Sequence, residues 1–130
     1  MPRGARVVAS DSPSSRQTVM HAARLRRGED IARVRSHGVS RNDALFSLRA
    51  LPSDLPSVRV AVAASRAVGG AVERNRARRR VREALRVALG ARPAGTRGAD
   101  ILLMVRPAAL AAPAAALRDA LERELDRVLR

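Results

Sequence analysis

Residues 57–90 read SVRVAVAASRAVGGAVERNRARRRVREALRVALG, and within this stretch the periodicity changes. Val58, Val60 and Val62 alternate with Arg59 and Ala61, the period of two that sends successive side chains to opposite faces of a sheet. A strand is predicted over Ser57–Ser65. After Gly69-Gly70 the apolar positions are Ala77, Val81, Ala84, Leu85 and Ala88, spaced i, i+4, i+7, i+8 and i+11. That is one stripe of an α-helix, ending near Gly90. A strand running through a glycine turn into a long amphipathic helix is half of a layered α/β unit, and the flanking sequence supplies the rest.

Upstream, Ala44–Leu51 again alternates, and Pro52, Ser53, Asp54 and Pro56 suit a connection between two antiparallel strands. Further back, Leu25 to Gly38 opens with Glu29 and Asp30, closes on glycine and carries Ile31 and Val34 on one side, which predicts a short first helix. Downstream, a Pro/Gly-rich loop over Gly90–Gly98 leads to Asp100-Ile101-Leu102-Leu103-Met104-Val105-Arg106-Pro107, a central strand stopped by proline. Ala114, Leu117, Leu121, Leu125 and Val128 mark a last helix beginning at Pro113. The order helix, strand, strand, helix, strand, helix defines an α/β (α+β) two-layer sandwich, a small sheet packed with helices. Residues 1–20, rich in Ser, Pro and Gly, read as a flexible basic N-terminal arm, leaving 21–130 as the single domain expected at this length.

The chain carries 26 basic and 12 acidic residues among 130, a net charge of +14, and every basic residue is arginine. GC-rich coding accounts for that bias together with the alanine excess. The physical consequence is independent of its origin: guanidinium forks match phosphate bidentately and stay charged, so the expected partner is a polyanion, nucleic acid first. Cysteine is absent, which excludes disulfides, thiolate zinc sites and a cysteine nucleophile. No apolar run reaches 18 residues and Met1–Val19 is broken by arginines and Asp11, so a cytoplasmic protein is expected. The single aromatic residue, Phe46, argues against a membrane-surface helix.

The charge is concentrated on the long helix. Residues 66–86 hold eight arginines against Glu73 and Glu83, a net of +6. Arg74/Arg78, Arg76/Arg80 and Arg78/Arg82 repel at i,i+4, each costing about 0.2–0.5 kcal/mol. Helix stability alone does not maintain such a pattern. With the apolar stripe buried, Asn75, Arg76, Arg79, Arg82 and Arg86 fall on the opposite arc, Arg78 and Arg80 flank it, and Arg74 falls on the buried side. A basic face about three turns long suits a phosphate backbone.

The stretch Ser65-Arg66-Ala67-Val68-Gly69-Gly70-Ala71-Val72-Glu73-Arg74-Asn75-Arg76-Ala77-Arg78-Arg79-Arg80-Val81-Arg82-Glu83-Ala84-Leu85-Arg86 resembles the signature of the protein subunit of bacterial ribonuclease P. Leu25-Arg26-Arg27-Gly28-Glu29-Asp30, Gly98-Ala99-Asp100-Ile101-Leu102 and Val105-Arg106-Pro107 extend the likeness in the family's order. The resemblance implies a ribosomal-protein-domain-like βαβ unit with a left-handed crossover, against the general right-handed rule. It implies an accessory subunit of an endoribonuclease, with hydrolysis carried by a catalytic RNA subunit and magnesium, bound mainly by that RNA. The substrate is precursor tRNA, whose 5′ leader is removed. The protein is expected to be monomeric and not catalytic on its own.

By position, Arg74, Asn75, Arg76, Arg78, Arg79, Arg80 and Arg82, with Arg86 beside them, are expected to contact the RNA subunit. Arg26, Ile31, Arg35, Phe46, Ser65 and Arg66 are expected to contact the leader. The family places two aromatics four residues apart on the first helix, where this chain has Ile31 and Arg35, and Ala67 replaces a usual basic residue. Ring stacking worth roughly 1–3 kcal/mol per base is lost at Ile31, and leader binding shifts toward charge. For Phe46, the one remaining ring, a core position on the first strand outweighs a place in the leader cleft.

No catalytic or metal site is expected in the chain. His21 and His37 are its only imidazoles, and His37 reads as a helix-end residue. Glu73 reads as an ion-pair partner of Arg74, and Asp100 as a cap at its strand's entry. A ribosomal or other structural-RNA-binding protein is the alternative function, and a duplex-DNA regulator with the basic helix in the major groove comes third.

Overall fold

The computed structural model describes residues 22–92 and 97–129. The expected arm at 1–20 lies outside them. The elements are β1 (Ala22–Arg24), α1 (Gly28–His37), β2 (Val39–Asn42), β3 (Phe46–Pro52), β4 (Val58–Ala64), α2 (Ala71–Gly90), β5 (Ala99–Val105) and α3 (Ala114–Val128). Short 3-10 turns at Arg66–Val68 and Pro107–Leu110 lead into α2 and α3.

The five strands form one sheet in the order β1-β4-β5-β3-β2. β4 and β5 are parallel neighbours joined through α2, the βαβ unit that the change of period at Gly69-Gly70 announces. The connection after β3 behaves differently from expectation. β3 and β4 do not pair; β5 lies between them, antiparallel to β3 with Leu48 opposite Leu103, and parallel to β4 with Val60 opposite Ile101. The Pro52–Ser57 segment is therefore a crossing past β5 and not a hairpin. Gly98 marks the closeness of that crossing: a Cβ there would lie 2.0 Å from the Leu55 carbonyl oxygen.

β1 and β2, the two edges, have no counterpart among the elements that periodicity predicts. β1 has three residues, and Val39-Ser40-Arg41-Asn42 of β2 is mostly exposed and polar, so neither shows a buried face. Their register comes from their neighbours, Arg24 opposite Val60 and Val39 opposite Ala50.

One sheet face is apolar throughout. Phe46, Leu48 and Ala50 of β3, Val58 and Val60 of β4, and Ile101, Leu103 and Val105 of β5 pack against α2 and α3. All five stripe residues of α2 are buried there, with Leu89, as are Leu117, Leu121 and Leu125 of α3. Each fully buried large side chain contributes about 1.5–3 kcal/mol. The other face carries Ser47, Arg49, Arg59, Ala61, Ala63, Asp100, Leu102 and Met104, and only α1 packs on it, through buried Val34 and Asp30.

Candidate nucleic-acid interface

The basic helix starts from a left-handed corner. Gly69 has φ 141°, a backbone conformation that a side chain would strain, and a Cβ there would meet the Glu73 side chain at 2.9 Å. The Gly70 amide then donates to Glu73 Oε1 at 3.0 Å, closing the first turn. Glu73 thus serves the helix start and does not pair with Arg74.

Along the outer face of α2, Arg76, Arg79 and Arg82 are exposed and Arg74 is half-buried. Among the described residues none of these four makes a side-chain hydrogen bond or ion pair. Arg74 lies within regular helix, its amide donating to the Gly70 carbonyl at 2.9 Å. Arg78 donates to Asn75 Oδ1, and Arg86 pairs with Glu83 at 2.6 Å, so those two guanidinium groups are already engaged on the surface. The bond from Arg86 also holds the Glu83 carboxyl below its ordinary range.

Arg80 departs from its predicted role. Its Nη1 donates to the carbonyl oxygens of Ala109 at 2.6 Å and Leu110 at 2.8 Å, and its Nη2 to that of Ala112. These oxygens belong to the turn between β5 and α3, which offers them no helical partner. Arg80 is a structural staple between α2 and that turn, its terminal nitrogens engaged by main-chain carbonyl oxygens.

Arg24 joins the basic face unannounced by the sequence. The pKa of Arg82 is lowered, first by partial burial and then by the positive charges of Arg24 and Arg78. In the edge strand β1, Arg24 stands opposite Val60, whose side chain belongs to the core face beneath α2. A three-residue strand has no periodic signal, and only its pairing with β4 reveals this placement. Like charges gathered without a counter-charge are stabilised by an incoming anion.

The expected leader residues divide between two places. α1 crosses the sheet at one level: Asp30, in its first turn, approaches Arg59, and Gly38 at its end lies against Ala50. Arg59 is opposite Asp100, and Ala50 is opposite Ile101. Among the described residues no helix lies above the later halves of β4 and β5 on this face. Ala61, Ala63 and Leu102 are half-buried there and Met104 is 37% exposed. Ser65 and Arg66 stand at the end of β4, Arg66 exposed. Ile31 is half-buried and Arg35 exposed, one turn apart on α1, and Arg26 is exposed just before it. This part of the face thus has Ala61, Ala63, Leu102 and Met104 on its floor, with the exposed Arg26, Arg35 and Arg66 on the neighbouring segments. Phe46 is excluded from it. The ring is fully buried on the opposite face, in the core beneath α2 and α3. Its alternation with Ser47 and Leu48 dictates that side.

Under α1, Arg59 holds Asp100 in a two-pronged bond, Nε to Oδ1 at 2.7 Å and Nη2 to Oδ2 at 2.6 Å. That bond raises the Arg59 pKa above its ordinary value against the opposing effect of burial. Asp100 is consequently a paired residue within the sheet, where a cap at the strand entry was expected. His37 is exposed in the last turn of α1, where a helix-end role was expected. Among the described residues no three His, Cys, Asp or Glu side chains gather into a group able to hold a metal ion, and no helix is long and apolar enough to cross a membrane.

Fold and surface together define a small, strongly basic α/β protein that presents one helix to a polyanion. Comparison with known proteins makes this specific. The family model Ribonuclease P matches residues 19–129. The Ribonuclease P protein component of Chloroflexus aurantiacus (strain J-10-fl) is 43% identical over 99 residues, 75% of this chain and 71% of that protein. That of Roseiflexus sp. (strain RS-1) is 40% identical over 90 residues, 69% of this chain and 71% of its own. Among solved structures, the RNase P protein from Thermotoga maritima superposes with a TM-score of 0.69 at 26% identity, covering 81% of this chain and 96% of the other. The chain belongs to the ribonuclease P protein family.

Proposed function

We propose that this chain is the RNA-binding protein subunit of a ribonuclease P ribonucleoprotein, assisting a catalytic RNA in removing the 5′ leader of precursor tRNA. The observation that carries the reading is the row Arg76, Arg79 and Arg82 on α2, extended by Arg24, whose guanidinium groups have no counter-charge among the described residues. Such a row is a phosphate-backbone contact, and its energy comes largely from counterion release. The groove between α1 and the open half of the sheet takes the single-stranded leader. Arg26, Arg35 and Arg66 supply charge there, Ile31 and Met104 supply apolar contact to bases, and Phe46, buried in the core, supplies no ring for stacking.

Hydrolysis is assigned to the RNA, with magnesium held mainly by RNA phosphates. The carboxylates of this chain do not offer a resident site among the described residues: Asp30 and Asp100 are bonded to Arg59, and Glu124 to Arg41. No step of hydrolysis runs through them. The protein works as a monomer, contributing affinity and discrimination between precursor and mature tRNA.

The test is cleavage of a leader-bearing precursor tRNA at low magnesium by bacterial ribonuclease P RNA, with and without the protein, and by the protein alone. Stimulation of the RNA, with no cleavage by protein alone, is expected. Absence of stimulation combined with tight binding to ribosomal RNA would overturn the reading. For about six phosphate contacts, the log–log salt slope of RNA-subunit binding is expected near −4 to −5. A slope near −1 contradicts the electrostatic account.

A further inference from the structure

Of the buried carboxylates among the described residues, Asp30 and Asp100 close on the same guanidinium. Arg59 Nη1 reaches Asp30 Oδ2 at 3.4 Å while its other two donors hold Asp100. Arg33, one turn along α1, returns to Asp30 Oδ1 at 3.2 Å. The two halves of this bridge differ in kind. Arg59 and Asp100 are register partners on adjacent strands, so their bond lies within the sheet and does not need α1. Asp30 alone carries the bridge across layers.

The remaining attachment of α1 is apolar at Val34, fully buried, and at Leu25 just before the helix, with one further polar tie at its last turn, where Arg49 Nη1 of β3 donates to the Arg35 carbonyl at 2.8 Å. Apolar contact is non-directional and by itself fixes neither a bond direction nor a donor–acceptor distance. A guanidinium fork fixes direction and distance. Burying these charges is not required for stability, since apolar side chains of similar volume commonly serve as well. What the bridge adds is a fixed rotation of the first turn of α1, as the Arg49 bond to the Arg35 carbonyl fixes the last. Ile31 follows Asp30 and Arg35 follows Val34, so that rotation sets where both stand relative to the open floor of Ala61, Ala63 and Met104.

We infer that the Asp30–Arg59–Asp100 bridge positions α1 as the wall of the leader groove, with Asp30 a positioning residue for substrate discrimination that does not itself touch RNA. This inference rests on the proposed leader groove, and its test separates the two. In the reconstituted holoenzyme, the affinity for precursor tRNA with a long leader is divided by that for the leaderless tRNA. In the wild-type protein this leader increment is expected to be well above one; a ratio of one overturns both the groove and the bridge.

Asp30→Ala removes the cross-layer half while Arg59 keeps Asp100, so no buried charge is left alone. The leader increment is expected to fall about tenfold, less than the roughly 100-fold that a 1 Å misplacement can cost. RNA-subunit affinity and its salt slope stay unchanged, a split that general destabilisation would not produce. Asp30→Glu, which keeps the charge, restores most of the increment. A wild-type increment that persists in Asp30→Ala overturns the bridge and leaves the groove intact. Should Asp30→Ala fold too poorly to assay, Arg59→Lys decides: lysine cannot fork between two carboxylates, so the same loss is expected, and an unchanged increment overturns the inference.

Discussion

The two faces of the sheet are built on opposite principles. Beneath α2 and α3, Phe46, Leu48, Val58, Ile101, Leu103 and Val105 make a closed apolar layer with hardly any exposure. Beneath α1, one valine, a three-residue charged bridge and the bond from Arg49 to the Arg35 carbonyl hold a single helix, and among the described residues no other helix covers the rest of that face. The closed face carries the stability of the domain; the open one has surface to spare for a ligand. The same division runs through α2, whose Ala77, Val81, Leu85 and Ala88 belong to the core while Arg76, Arg79 and Arg82 point away from it.

Perturbing the closed face gives the largest expected effect. Leu121→Ala, at a fully buried position, should destabilise the protein by about 2–5 kcal/mol and lower the thermal midpoint accordingly. The RNA salt slope, measured where the variant is still folded, should not change. A flattened slope would mean that the faces are not independent.

Arg80 tests where the core ends on α2. Arg80→Ala strands three main-chain carbonyl oxygens and should cost about 1–3 kcal/mol in chemical denaturation, with a smaller effect on RNA affinity than removal of Arg79. The reverse ranking would return Arg80 to the RNA-binding face.

Arg79→Ala and Arg82→Ala sharpen the other side of the comparison. Each should flatten the RNA-subunit salt slope by about 0.7–0.9 and leave stability within about 0.5 kcal/mol. Arg24→Ala should behave alike, because its charge lies alongside that of Arg82. An unchanged slope in titrations of the Arg24 variant would confine the interface to α2.

The smallest effect concerns the exposed Glu83–Arg86 pair. The bond depresses the Glu83 pKa, so its contribution to stability is full above the ordinary glutamate value of about 4.3 and fades as pH falls through the depressed one. Glu83→Gln should therefore narrow its stability gap from wild type as the solution is acidified. A gap that widens on acidification would contradict the sign.

Much of the closed face is legible in the order of residues alone. Wherever one element buries a whole stripe, as in α2 and α3, burial itself imposes a period on the chain, and the stripe and the arginine arc both follow from it. The signature around Arg74-Asn75-Arg76 carries the family, which the likeness to known ribonuclease P proteins establishes. β1 and β2 are not legible, because edge strands of three and four residues borrow their register from neighbours. Phe46, a leader candidate for which the core is the favoured position, lies on the core face; alternation tells which residues share a side of a sheet but not which side meets a ligand.

What the sequence determined by itself was therefore local: the strand-to-helix switch at Gly69-Gly70, the apolar stripes, the concentration of arginine on one helix, and the family. The tertiary structure decided what each charge is for. It set β5 between β3 and β4, brought the carbonyl oxygens of Ala109, Leu110 and Ala112 to Arg80, set Arg24 opposite Val60 at the sheet edge, and closed Asp30 and Asp100 on Arg59. The physical reason is that a hydrophobic period is written along one element, whereas the partner of a guanidinium is another chain segment 29 to 41 residues away, and no period in the sequence encodes that distance.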